Sequence, residues 1–132
     1  MRIEIYFQQV REAIDNCLLV QSSNVTYDKR SPHEGFIRGE AYFVDGSILH
    51  LREFVDVETT IDRLTYAYQY MNMNADRQLI FRYDNTGHHK KLNLPTYPHH
   101  KHDGSENNVV TSDAPDLTAV LSEIEPIVQL SN

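Results

Sequence analysis

Residues 35–57 read GFIRGEAYFVDGSILHLREFVDV, two β-prone runs on either side of Asp45-Gly46-Ser47. Asp-Gly favours the positive-φ geometry of a tight turn, so the stretch predicts strand, turn, strand. In the second run Leu49, Leu51, Val55 and Val57 share one face while His50, Arg52 and Asp56 share the other, as a side-chain period of two requires. Glu53 falls on the apolar face. An isolated buried carboxylate is costly, so Glu53 is expected either to be paired or to face a cleft.

Beyond this hairpin, Leu64, Tyr66, Tyr68 and Tyr70 alternate with Thr65, Ala67, Gln69 and Met71, which predicts another strand. A connection of hairpin length, Asn72 to Asp76, leads into Gln78–Tyr83, so these two strands are expected to pair antiparallel. On the last one Leu79, Phe81 and Tyr83 take one face and Ile80, Arg82 and Asp84 the other, so Arg82 and Asp84 point together. The three alternating tyrosines are expected to cover a helix with their rings and send their hydroxyls to the rim, rather than to offer a stacking platform for bases.

Toward the N-terminus, Ile3, Phe7, Val10, Ile14, Cys17 and Leu18 recur at helical spacing and predict a helix over about residues 3–19. Val25-Thr26-Tyr27 then suits a short strand. At the other end Asp113-Ala114-Pro115-Asp116 supplies a cap and an early proline ahead of Leu117, Val120, Leu121, Ile124 and Val128. This predicts a helix over about 115–130 that Pro126 bends or ends. The expected fold is α+β: an antiparallel sheet of about five strands within residues 25–84, with the N-terminal and C-terminal helices on one face.

The 132 residues allow one domain, expected to span 1–132, and 40% hydrophobic residues suffice for one core. No run approaches 18 apolar residues and no signal-peptide pattern opens the chain, so the expectation is a cytoplasmic protein with no membrane partner. The single cysteine, Cys17, excludes an intramolecular disulfide and a thiolate zinc cage, leaving imidazole and carboxylate as the only metal donors.

A net charge of −7 argues against a nucleic-acid partner, but the sign reverses locally. Between residues 77 and 102 stand Arg77, Arg82, Lys90, Lys91 and Lys101 against Asp84 alone, together with five of the seven histidines: His88, His89, His99, His100 and His102. Residues 85–112 show no sustained periodicity, and a loop this long in a compact domain is uncommon unless it functions or is disordered. The region is therefore read as a functional loop. Imidazoles, a guanidinium and an ammonium suit metal-free RNA cleavage, which needs a base for the 2′-hydroxyl, an acid for the leaving oxygen and positive charge on the phosphate. Divalent metal binding by His99-x-x-His102, or by His88 with His100, is the competing use, although neither spacing matches an established zinc motif. A further alternative leaves the prolines stiffening an exposed loop whose histidines are ordinary surface residues.

Taken in order, Asp45-Gly46-Ser47, Leu51-Arg52-Glu53, Tyr66-Ala67-Tyr68-Gln69-Tyr70, Phe81-Arg82-Tyr83-Asp84-Asn85 and Pro98-His99-His100-Lys101-His102 resemble the TumE family of toxin-antitoxin proteins over about residues 35–125. The last two motifs carry most of the likeness. The resemblance implies a small prokaryotic toxin acting on RNA, and a cognate antitoxin with a helix-turn-helix DNA-binding part. In outline the expected fold is similar to the barnase, EndoU, colicin and RelE group of small RNases, an analogy that cannot by itself assign activity.

The resulting expectation is an endoribonuclease toxin that needs no cofactor. His99, His100 and His102 would supply acid and base, with His88 in reserve. Arg82 and Lys101 would stabilise phosphate, Glu53 or Asp84 would orient an imidazole, and Arg82, Lys101 and Tyr97 would contact RNA. The rival is a non-enzymatic binding module whose basic, histidine-rich loop docks a partner protein or nucleic acid.

Overall fold

The computed structural model describes residues 1–73 and 77–131. Helix α1 (Ile3–Asp15) precedes strands β1 (Val20–Lys29), β2 (Glu34–Phe43), β3 (Ile48–Asp56), β4 (Asp62–Met71), β5 (Leu79–Asp84), β6 (His100–Asp103) and β7 (Val109–Thr111), and helix α2 (Leu117–Ser131) closes the chain. A 3₁₀ segment at Gly87–Leu92 follows β5. All seven strands form a single sheet in chain order, with every neighbouring pair antiparallel.

The α+β expectation therefore holds, with seven strands where about five were predicted. The two extra strands lie inside the supposed loop 85–112. They were hidden because β6 alternates histidine with lysine and aspartate: His100 and His102 are buried, and their neighbours Lys101 and Asp103 are not. The period of two is present, but the inward residues are polar. Residues 74–76 of the expected β4–β5 connection lie outside the described residues, while the antiparallel pairing on either side, Tyr68 opposite Tyr83 and Tyr70 opposite Phe81, is as predicted.

Helix α1 ends at Asp15, four residues earlier than the apolar stripe implied. Asp15, Asn16 and Cys17 are weak helix formers, and the chain from Val20 is committed to pairing with β2. Cys17 remains buried after the helix, while Leu18 turns outward and is 92% exposed. β1 is much longer than Val25-Thr26-Tyr27 alone. In α2, Pro126 sits within the helix and does not end it. Ile124 and Val128 on either side are fully buried, and their burial offsets the missing backbone bond.

Ile3, Phe7, Val10 and Ile14 from α1, and Leu117, Val120, Ile124 and Val128 from α2, pack with Ile37, Leu49, Leu51, Val55 and the tyrosines of β4 in one apolar cluster. Both helices thus lie over the same face of the sheet. Tyr66, Tyr68 and Tyr70 point into this layer as expected, but the hydroxyls of Tyr68 and Tyr70 find buried partners, Glu53 and Ser47, and do not reach the rim. Gly39 has a specific duty. A β-carbon there would lie 2.1 Å from the Asn24 carbonyl oxygen, so only glycine lets β1 close onto β2 at that point.

Among the described residues the opposite face carries no α-helix. Strand register places two lateral rows of side chains across it. One runs Arg38, Arg52, Ala67, Asp84, His100, and the next runs Glu40, His50, Gln69, Arg82, His102.

Candidate active site

Alternation on β5 and β6 decides which charged residues share the open face. Arg82 and Asp84 face it from β5, and their cross-strand partners His102 and His100 face it from β6. All four converge. Arg82 Nε donates to Asp84 Oδ2 at 3.1 Å, and Arg82 Nη2 lies 3.1 Å from His102 Nε2. His100 Nε2 lies 3.0 Å from Asp84 Oδ1, and His102 Nε2 lies 3.7 Å from Oδ2. From the 3₁₀ segment His89 adds a third ring, with centroids 4.9 Å from His100 and 5.3 Å from His102; those two rings are 5.0 Å apart. Rings from both ends of the irregular stretch are thus brought together beside a guanidinium.

The tautomers follow from the partners. His100 Nδ1 lies 2.8 Å from the Pro98 carbonyl oxygen, and His102 Nδ1 lies 2.9 Å from that of Glu106. A carbonyl only accepts, so both Nδ1 atoms carry hydrogen and both Nε2 atoms face the cluster. His102 Nε2 accepts from Arg82. Although His100 Nε2 is close to Asp84, its direction misses the carboxylate, and it stands buried without a hydrogen-bond partner among the described residues. Buried polar atoms are ordinarily satisfied, which sets this nitrogen apart from the other ring nitrogens of β6.

Burial pushes the Asp84 carboxyl up, but the Thr86 amide and hydroxyl, His100 and Arg82 outweigh it and hold the group below the ordinary aspartate range. It is ionised at neutral pH. His89 is pushed down by burial and by the neighbouring His100 and His102, so its neutral form is favoured. Glu106 is held below the ordinary glutamate range by its bonds to Arg82. One nitrogen from each of His89, His100 and His102 lies within 4.8 Å of the others, a donor set suited to a transition-metal ion. Against that use, the Arg82 guanidinium already occupies His102 Nε2 and sets a fixed positive charge beside it.

The other expected site residues lie elsewhere. His99 and Lys101 alternate onto the helix side. The His99 ring stacks on Tyr66, with Nδ1 2.9 Å from the tyrosine hydroxyl. Lys101 Nζ donates to Glu123 of α2 at 3.2 Å and sits over the Tyr83 ring. Glu53 is paired, as its burial demanded, but with the hydroxyls of Tyr6 and Tyr68 beneath the helices, and it orients no histidine. His88 is exposed on the 3₁₀ segment, and Tyr97, also exposed, donates through its hydroxyl to the Gly87 carbonyl.

Sequence reasoning counted His89 among the clustered histidines but left it out of the expected site, and it missed Glu106 as the outer clamp on Arg82 and the residues of β2 and β3 on the same face. Arg38, Glu40, His50, Arg52, Gln69 and Arg82 line a cleft of about 350 Å³. The signal that could have found them was the outward alternation of His50 and Arg52, already visible in the hairpin.

A family model described as Toxin TumE matches residues 10–129. No curated protein and no solved structure matches the chain.

Proposed function

This chain belongs to the TumE toxin family, and from that premise we propose that it is the toxin of a toxin-antitoxin system that cleaves RNA without a metal ion, through histidine acid–base chemistry on the open face of the sheet. The carrying observation is the convergence of His89 and His100 beside Arg82 and Asp84, with an unpartnered ring nitrogen on His100. His89, favoured in its neutral form, takes the proton of a ribose 2′-hydroxyl. The 2′-oxygen attacks phosphorus, the bond to the 5′-oxygen breaks, and His100 delivers a proton from Nε2 to that leaving oxygen. The Asp84 carboxylate, 3.0 Å from this nitrogen, sets negative charge beside it. Arg82 places positive charge beside the phosphate as it gains negative charge.

The products are a 2′,3′-cyclic phosphate and a 5′-hydroxyl. His102 positions Arg82, and His99 and Lys101 pass from the catalytic assignment to the packing of β6 against the helix side. Membership in a toxin family implies a cognate antitoxin, and a helix-turn-helix DNA-binding part in that partner belongs to the same proposal.

Growth arrest and cleavage of purified RNA by wild type, His89→Ala and His100→Ala test the reading, once circular dichroism shows that the variants fold. Losses of about 10² to 10⁴ in rate support it. Undiminished cleavage removes the assignment. Salt-sensitive RNA binding without turnover would favour a binding module instead.

A further inference from the structure

We propose that the cleft between β2 and β3 on the open face is a binding track for the phosphate backbone of single-stranded RNA, with Arg38 and Arg52 as its anion-binding residues. The inference rests on the reading of this protein as an RNA-cleaving toxin and extends it to residues that no part of that chemistry requires.

Arg38 and Arg52 are directly opposed in the β2–β3 register. Like charges opposite one another on an exposed sheet face destabilise the pair, so the sheet gains nothing from this arrangement. Three other arginines are matched by carboxylates: Arg2 with Glu4, Arg30 with Asp28, and Arg82 with Asp84 and Glu106. Among the described residues neither the Arg38 nor the Arg52 guanidinium has an ion-pair or hydrogen-bond partner. Two unmatched guanidiniums side by side make a site for an anion that comes from outside.

Geometry extends the site toward the reacting groups. Arg38 and Arg52 belong to the same lateral row as Asp84 and His100, and Arg82 stands in the adjacent row with His50 and Gln69. At about 4.8 Å between strands, Arg52 lies about 14 Å from the strand that carries His100, and Arg38 about 19 Å. That is the reach of a few nucleotides in an extended strand. The cleft is lined by Arg38, His50, Arg52, Gln69 and Arg82, with Glu40 as its one carboxylate, and its volume of about 350 Å³ suits a nucleotide. Ala67, small, stands between Arg52 and Asp84 in the row.

The track separates two properties that a single active site would merge. Binding of a labelled oligoribonucleotide with every ribose 2′-O-methylated, which has no 2′-hydroxyl to attack phosphorus, reads the track without turnover. Fluorescence anisotropy across a salt series compares wild type, Arg38→Gln with Arg52→Gln, and Arg2→Gln as a charge-matched control from the far end of the chain. The expected result is at least tenfold weaker binding by the double variant, with its salt slope reduced by about 0.7 for each lost phosphate contact, and wild-type behaviour from the control. In parallel, cleavage of ordinary RNA should show a raised KM with kcat preserved, and the thermal midpoint of the double variant should stay the same or rise as the like-charge pair is relieved.

Equal affinity and equal salt slope in all three proteins overturns the track, even if wild type cleaves RNA and the catalytic reading stands. Arginine-dependent binding by a wild type that cleaves nothing upholds the track and removes the catalytic reading. A wild type that ignores the oligoribonucleotide but binds polyglutamate through the same two arginines assigns the cleft to an acidic protein segment and overturns the RNA proposal.

Discussion

Arg82 and His102 face one another across β5 and β6, and Arg82 Nη2 donates to His102 Nε2 at 3.1 Å while the far nitrogen of the ring donates to the Glu106 carbonyl. The guanidinium reaches Asp84, Gln69, His102 and Glu106 at once because its donors fan out in a plane. This single side chain ties β4, β5, β6 and the following turn into one polar layer on the face opposite the two α-helices.

Lysine cannot reproduce that fan. Arg82→Lys should cost about 2 kcal/mol of stability, since hydrogen bonds to charged groups contribute roughly 1.5 to 3 kcal/mol each and one ammonium can retain only part of the set. Urea unfolding checks the stability. A loss of cleavage larger than the fractional unfolding explains would confirm the role beside phosphate.

Lys101 offers the opposite case. Its ammonium is bound to Glu123 beneath α2, so Lys101→Ala should lower the thermal midpoint through the lost contact with the helix. RNA affinity and KM should not change. Anisotropy and steady-state cleavage on the same preparation separate Lys101 from Arg38 and Arg52.

The contrast between these lysine and arginine residues shows what could be read from the sequence. Alternation placed Arg82 and Asp84 together, identified the Asp-Gly hairpin and oriented the β4 tyrosines inward, because apolar residues marked the inner face of each strand. The same rule separates His99 and Lys101 from His100 and His102 once β6 is known to be a strand. Without that knowledge Pro98-His99-His100-Lys101-His102 read as one cluster. β6 is only four residues long, and its buried positions are imidazoles bonded to Arg82 and backbone carbonyls, so no apolar pattern announces it. Local charge was similarly misleading. The cationic stretch 77–102 drew attention, yet Arg82 and Lys101 are neutralised by carboxylates, while Arg38 and Arg52, outside that stretch, stand opposed without one among the described residues.

Glu53 predicts a pH dependence whose sign is fixed by its surroundings. Burial raises its carboxyl above the ordinary value of 4.5, outweighing the hydroxyls of Tyr6 and Tyr68 that favour the charged form. As pH rises past 4.5 the unfolded chain releases this proton before the folded one does, so stability falls until the folded group has also ionised. Asp84 acts in the other direction and in a different window. Its pKa lies below the ordinary 3.8, so its contribution is present above that pH and is lost as pH falls through the depressed value. Urea midpoints measured from pH 4 upward should decline for wild type and stay flatter for Glu53→Gln.

Gly39→Ala tests the close approach of β1 to β2. The added carbon meets the backbone oxygen of Asn24, which cannot rotate away as a side chain could. Overpacking of this kind costs typically about 1 to 3 kcal/mol. Hydrogen exchange should show the loss concentrated in β1, with β5 and β6 retaining their protection.

The most direct test of the central claim is the chemistry of the ends left on a defined oligoribonucleotide after incubation with the purified protein in excess EDTA. The predicted result is cleavage that persists and leaves a 2′,3′-cyclic phosphate and a 5′-hydroxyl, with no cleavage where a 2′-O-methyl group blocks the attacking oxygen. Cleavage abolished by EDTA and restored by a divalent ion, or products that carry a 5′-phosphate, would contradict it.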